Sequence, residues 1–152
     1  MLSCRSEAVA MESVIFFVPG KPRGKGRPRS KKTGGKPYTD SKTRAYEYQI
    51  AANYRRIAGS FRFPDDVFLR VRVQQQMPVP QSASKARKAD MLEGRTYPSA
   101  KPDLDNVVKA VLDALNGVAY KDDARVVGLY SQKVYSDNPG VMVEISRMDG
   151  DT

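Results

Sequence analysis

Hydrophobic and polar residues alternate with recognisable periods along most of this chain of 152 residues. A continuous apolar run at residues 14–18, closed by Pro19 and Gly20, predicts a short buried strand. Residues 66–76 alternate between apolar and polar with period two, which is the clearest strand signal in the chain. Residues 126–135 and 141–145 predict two further strands, and the Ser-Asp-Asn-Pro-Gly turn between them favours a hairpin.

Three other segments carry helical signals. One set of apolar residues at helical spacing comprises Tyr46, Ile50, Tyr54 and Ile57. Asp40 or Ser41 is placed to cap the helix that they predict, and Gly59 is placed to end it. The cleanest amphipathic pattern runs over residues 104–115, where apolar residues step by one and three, and it ends before Gly117. Residues 82–94 predict a short polar helix on the surface.

The order β, α, β, short α, α, β, β indicates an α+β fold. We expect a single layer of about four strands, mixed or antiparallel, with the two main helices packed on one face. We expect residues 1–12 to be a disordered N-terminal extension and residues 13–147 to form one domain. Because no apolar run approaches the roughly 20 residues of a membrane span and no signal peptide is evident, we expect a cytoplasmic protein without a membrane partner.

The composition restricts the chemistry, since the chain contains no histidine and a single cysteine. The absence of histidine excludes Ser-His-Asp catalysis, histidine general bases and histidine-liganded zinc. One cysteine cannot supply a soft metal site within one chain. Any bound metal must therefore be held by oxygen atoms, which favours Mg²⁺ or Mn²⁺.

The formal net charge is +9, and much of the excess lies in one block at residues 21–36 that contains no acidic residue. Its cations are Lys21, Arg23, Lys25, Arg27, Arg29, Lys31, Lys32 and Lys36. Such a block fits polyanion binding through counterion release, although basic runs are often only solvated loops. Because glycine and proline interrupt the block, we interpret it as a mobile loop that lies beside an active site and contacts phosphates.

Acidic residues also cluster, at a place where a phosphate-binding protein tolerates them poorly. Five of the 17 acids lie within residues 103–123: Asp103, Asp105, Asp113, Asp122 and Asp123. A metal ion that bridges carboxylates to phosphate would explain them. Asp103 and Asp105 flank the start of the predicted helix, and Lys109 and Asp113 continue from Asp105 in steps of four. Asp122 and Asp123 join the first pair only if the link after Gly117 turns back along the helix.

Each of these residues also has a purely structural interpretation. Asp103 would serve as a helix cap worth about 1 kcal/mol, and Asp105 would interact with the helix dipole for roughly 0.3–1 kcal/mol. Lys109 and Asp113 would form an ordinary helical ion pair, and Asp122 and Asp123 a solvated turn. Considered together, the residues favour a metal site in which one or two Mg²⁺ activate water and neutralise a scissile phosphate, with Lys109 as an additional cation.

Three blocks of the sequence resemble, in order, the signature of the RusA-type Holliday junction resolvases, endodeoxyribonucleases of DNA recombination and repair that are frequent in phages and prophages. The blocks are Lys-Pro-Asp-Leu-Asp-Asn-Val-Val-Lys at residues 101–109, Asp-Ala-Leu-Asn-Gly at 113–117, and Asp122-Asp123. Residues 20–29 are similar to the basic N-terminal loop of that family. The resemblance covers about residues 13–146.

The resemblance implies a homodimer that binds four-way DNA junctions and nicks two opposed strands symmetrically with Mg²⁺, Mn²⁺ being expected to substitute. It implies that Asp103, Asp105 and Asp123 are the catalytic metal-binding acids, that Lys109 is the essential lysine, and that Asp122 assists. In the mechanism we expect, water activated by the metal attacks the phosphodiester in line and leaves a 5′-phosphate and a 3′-hydroxyl. The expected contacts to the DNA backbone are Lys21, Arg23, Lys25, Arg27, Arg29, Lys85, Arg87 and Lys88.

Two rival interpretations stay open at this stage. A non-catalytic nucleic-acid-binding module would use the same basic loop, with the aspartates serving only as caps and ion-pair partners. A different metal nuclease, acting on flap DNA or RNA, would keep the site but change the substrate.

Overall fold

A computed structural model describes residues 13–25 and 41–148 of the chain. The expected N-terminal extension and most of the basic block, including Arg27 and Arg29, lie outside these residues. Four strands are present: β1 (Ser13–Pro19), β2 (Phe68–Pro78), β3 (Val126–Ser136) and β4 (Gly140–Met148). The helices are α1 (Ser41–Ala58), α2 (Lys85–Leu92) and α3 (Leu104–Leu115), and a 3₁₀ turn at Asp123–Arg125 precedes β3. The α+β prediction is confirmed.

The strands form one mixed sheet in the order β1-β4-β2-β3. β4 is antiparallel to both β1 and β2, whereas β3 runs parallel to β2 at the edge. The predicted hairpin between the last two strands is therefore wrong, because β2 lies between them. Their connection crosses the end of β2, where Gly140 pairs with Gln76 and Ser136 pairs with Pro78. A turn signal predicts a chain reversal, but it does not specify which strand the returning chain will pair with.

Alternation along the central strands puts one face of the sheet into the core. Leu69, Val71 and Val73 of β2 are almost fully buried, as the period-two pattern predicted. Val143 and Ile145 of β4 continue the same layer. This regular inner face is the surface on which the two longer helices pack.

The helices α1 and α3 cover that inner face and contact each other. Tyr46, Ile50 and Tyr54 of α1 are buried, and the Tyr54 ring packs edge-on against Phe16 of β1 with ring centroids 5.7 Å apart. Ile57 departs from the predicted apolar stripe, since it is 57 % exposed near the end of the helix. The short helix α2 is capped by the Ser84 hydroxyl and buries only Met91, which confirms its predicted surface position.

The buried stripe of α3 consists of Val107, Val108, Ala110, Val111, Ala114 and Leu115. Its opposite side carries the charged residues of the central motif and faces solvent. None of the helices in the described part of the chain is long and apolar enough to cross a membrane.

Candidate active site

Asp103 stands at the N-terminus of α3 with an exposed carboxylate. It occupies the cap position, and its carbonyl accepts hydrogen bonds from the backbone N–H groups of Asn106 and Val107 at 3.1 and 3.2 Å. Its side chain, however, makes no capping hydrogen bond. Most aspartates at this position accept a backbone N–H and stabilise the helix. The capping interpretation therefore does not account for this carboxylate, which remains available to bind a ligand.

A buried glutamine holds the loop that carries Asp103. Gln75 of β2 is fully buried, and its Nε2 donates a hydrogen bond to the carbonyl oxygen of Pro102 at 3.0 Å. The peptide bond between Lys101 and Pro102 is cis. Sequence analysis missed Gln75. A signal existed, since Gln75 is the next inward-facing position of β2 after Leu69, Val71 and Val73, and a polar residue at such a position is unusual. The hydrogen bond connects the central sheet directly to the residue before Asp103.

The link after α3 folds back along the helix. Gly117 adopts a φ of +75°, and its N–H donates to the carbonyl of Tyr120 at 2.7 Å, which closes a tight turn. The Tyr120 hydroxyl then donates to the carbonyl of Leu112 at 2.9 Å. Asn116 completes the arrangement, since its Oδ1 accepts the N–H of Asp123 at 3.0 Å. The chain reversal that the sequence interpretation required after Gly117 is present, and Asn116 is a second residue that sequence analysis missed.

The two aspartates at the end of this link have different surroundings. Asp122 caps the 3₁₀ turn, and its Oδ1 accepts the N–H of Ala124 at 2.8 Å. Burial raises the pKa of the Asp123 carboxyl above its ordinary value, and a hydrogen bond and the charge of Asp122 raise this pKa further. The charge of Asp113 acts in the same direction, and Lys109 opposes both. The charges of Asp122 and Asp113 therefore act together on Asp123, which lies beside the second and third turns of α3.

Asp113 is held by a lysine from the start of the basic block. Its Oδ2 lies 2.9 Å from the Nζ of Lys25, compared with 3.8 Å from the Nζ of Lys109 on the same helix. Lys25 also contacts Glu47 of α1 at 2.7 Å, and its side chain is only 15 % exposed. Burial alone would lower the pKa of Lys25, but the two carboxylates raise it above its ordinary value. The expected pair with Lys109 exists, but Lys25 is the closer partner of Asp113.

The donor set of the site suits a hard divalent cation. Asp103 and Asp105 have exposed carboxylates at one end of α3, and Asp123 lies near the charges of Asp122 and Asp113, whose repulsion a bound cation would relieve. Within residues 13–25 and 41–148, however, no three acidic, histidine or cysteine side chains already stand close enough together to hold an ion. The structure thus brings Asp123 to Lys109 and Asp113, and it places Asp103 and Asp105 on the earlier turn of the same helix.

Comparison with known proteins identifies the family of the chain. Residues 19–146 match the family model described as endodeoxyribonuclease RusA. The chain belongs to the RusA endodeoxyribonuclease family. It is also 36 % identical over 137 residues to the uncharacterized Bacillus subtilis (strain 168) protein YqaN, a match that covers 89 % of this chain and 96 % of the relative.

The RusA match contains every candidate residue of the site and all of the predicted DNA contacts. RusA proteins are nucleases that act on branched DNA junctions. In this RusA protein, Lys21 and Arg23 are exposed and lie across a groove from Asp103, whereas Lys25 is engaged in its two ion pairs. Lys85 and Arg87 of α2 are exposed, and Lys88 is half-buried. Arg27 and Arg29 lie outside the described residues.

Proposed function

We propose that the protein is a Mg²⁺-dependent Holliday junction resolvase that nicks two opposed strands of a four-way junction symmetrically during DNA recombination and repair. The observation that carries the proposal is the Asp103 carboxylate, which stands at a helix cap position without capping the helix. A carboxylate without a structural role, on a chain of net charge +9, suits a metal that neutralises phosphate.

Asp103, Asp105 and Asp123 are the residues we assign to the metal, with Asp122 as an accessory because its carboxylate is already engaged in the cap of the 3₁₀ turn. When bound, Mg²⁺ would polarise the scissile phosphate and lower the pKa of the attacking water. Mn²⁺ should substitute, since it accepts the same oxygen ligands. Asn116 keeps Asp123 in place through the hydrogen bond to its backbone N–H.

Lys109 is the cation that we assign to the developing negative charge on the phosphate. Its side chain is 63 % exposed, and its ammonium group remains 3.8 Å from Asp113, so that most of its surface stays open to a substrate. Its charge also lowers the pKa of Asp123, which supports a role for Lys109 beside the proposed metal ligands. Because Lys25 neutralises Asp113 at shorter range, Lys109 is free to turn toward phosphate.

We further propose that the enzyme acts as a homodimer, because a two-fold dimer presents two equivalent sites to a junction with approximate two-fold symmetry. The outer face of the sheet supports this proposal. It exposes Ile15, Met142 and Tyr130, which line a pocket on this face. Arg72 and Glu144 lie 3.8 Å apart on the same face, so their charges offset each other within the exposed surface. A mass of twice 16.9 kDa in solution would support the dimer, and a monomer would contradict it.

The experiment that tests the proposed function compares the wild-type protein with Asp103→Asn on a synthetic four-way junction, with Mg²⁺ and then with EDTA. We expect the wild type to cut two opposed strands only with Mg²⁺ and the variant to bind without cutting. The matched control is Asp137→Asn, which changes an exposed aspartate in the turn between β3 and β4 and should leave cleavage unchanged.

Each rival interpretation predicts a different result. Binding without cleavage by the wild type at any Mg²⁺ or Mn²⁺ concentration would show a non-catalytic nucleic-acid-binding module. Flap DNA, duplex DNA or RNA cut as readily as the junction would show a nuclease of different specificity. Equal cleavage by Asp103→Asn and wild type would show that Asp103 is not the proposed metal ligand.

A further inference from the structure

A groove lies between the start of the basic block and the loop that carries Asp103. One wall is formed by residues 21–25, and the other by Lys101, Pro102, Asp103 and Asn106. Its volume is about 490 Å³, and it is open to solvent along its length. Asp103 is one of its lining residues, so a ligand bound in the groove lies beside the first carboxylate of the proposed metal site.

The walls of the groove are held together by backbone contacts. The N–H of Lys25 donates to the carbonyl of Asn106 at 3.0 Å. Gly24 lies so close to α3 that a Cβ built on it would stand 2.9 Å from the Cβ of Asn106, a distance at which something must shift. The carbonyl of Pro102 is fixed from beneath by Gln75. The groove is therefore formed before any ligand binds, which reduces the ordering cost of binding.

The lysines and arginine that line the groove divide into two kinds. Lys21, Arg23 and Lys101 are exposed, and none of them has an ion-pair partner among the described residues. Lys25 differs, because Asp113 and Glu47 hold its ammonium group at 2.9 and 2.7 Å. Moving Lys25 to a phosphate would leave Glu47 without its ion-pair partner and Asp113 without its closer one, at a cost that an unpaired surface lysine does not incur.

We propose that this groove binds the sugar-phosphate backbone of the DNA strand that is cut. In this arrangement Lys21, Arg23 and Lys101 contact phosphates, and Lys25 holds the wall of the groove rather than the DNA. The proposal rests on the proposed function. It adds Lys101 to the DNA contacts expected from the sequence and removes Lys25 from them. The ligand class is a phosphodiester chain, whose negative charges recur at a regular spacing that separate cations along a groove can follow.

The test measures how the affinity for DNA depends on salt, in EDTA so that no strand is cut. Each phosphate contact that is lost should reduce the slope of log affinity against log salt by about 0.9 for duplex DNA and about 0.7 for single strands. Lys101→Gln and Lys21→Gln should each show this loss. The control is Arg56→Gln, at the far end of α1 from the groove, which should keep the wild-type slope.

The role of Lys25 is tested by Lys25→Gln combined with Glu47→Gln, a pair that leaves the net charge unchanged. We expect the wild-type slope, because neither side chain contacts DNA. Retention of the wild-type slope by Lys101→Gln would overturn the proposal, and so would a loss in the Lys25 pair as large as that in Lys101→Gln.

Failure of the groove and failure of the proposed function give different results. Four-way, duplex and single-stranded DNA are measured side by side, since phosphate contacts do not depend on the branch point. If the variants lose the expected salt slope but the protein shows no preference for the junction, the groove proposal stands and the resolvase proposal is rejected. If the protein prefers and cleaves the junction but Lys101→Gln keeps the wild-type salt slope, the resolvase proposal stands and the groove proposal is rejected. Absence of binding to all three DNAs would reject both.

Discussion

Both ends of α3 carry aspartates, but the aspartates at the two ends have different surroundings. At the N-terminus, Asp103 and Asp105 are exposed, and their side chains make no ion pair with another described residue. In the C-terminal half, Asp113 is locked between Lys25 and Lys109, and the returning link buries Asp123 partly against the helix. An unpaired carboxylate contributes little to folding and is available for chemistry, whereas a paired one is part of the framework.

The largest expected effect lies at the unpaired end. Asp103→Asn should lower the rate of junction cleavage by about a thousandfold, or about 4 kcal/mol of transition-state stabilisation, because asparagine supplies no charge to a cation. Asparagine is an equally good cap residue, so the free energy of unfolding should change by less than about 0.5 kcal/mol. Single-turnover cleavage and urea unfolding measure the two quantities. A variant that loses stability together with activity would contradict the contrast between the ends.

The next largest effect is expected at the paired end, where substitutions of the two lysines that contact Asp113 should have different consequences. Lys25→Met leaves two partly buried carboxylates without their closest partner, so it should reduce the free energy of unfolding by about 2 kcal/mol. Lys109→Met removes an exposed and longer pair, so it should cost less than about 1 kcal/mol in stability while greatly reducing cleavage. Thermal unfolding and cleavage assays check the two variants together, and equal stability losses would show that Lys25 is an ordinary surface lysine.

The pattern of the sequence located the elements well, because alternation and helical spacing report which face of a segment is buried. Period two along β2 and the stripe of α3 both matched the core. Pairing between distant segments was not predictable in the same way. The partners of Lys25 lie on two helices, one of them 22 residues away in the chain, and periodicity carries no information about such contacts. The position of β3 beyond β2 was missed for the same reason. Gln75 is different, because the period of β2 already places it on the buried face.

The smallest expected effect on cleavage concerns the turn at Gly117, which follows the paired end of α3. Gly117 and Gly59 both follow a helix with a positive φ, +75° and +62°, and a Cβ at either position would meet nothing within 4 Å. Gly117→Ala and Gly59→Ala should therefore cost a similar amount of stability, roughly 1–2 kcal/mol, since alanine is strained at such a φ.

Only the turn at Gly117 positions Asp123, through Tyr120 and Asn116. Gly117→Ala should thus lower cleavage below that of the equally destabilised Gly59→Ala when both are assayed well below their melting temperatures. Equal cleavage by the two variants would mean that the turn at Gly117 contributes stability alone and does not position Asp123 for the reaction.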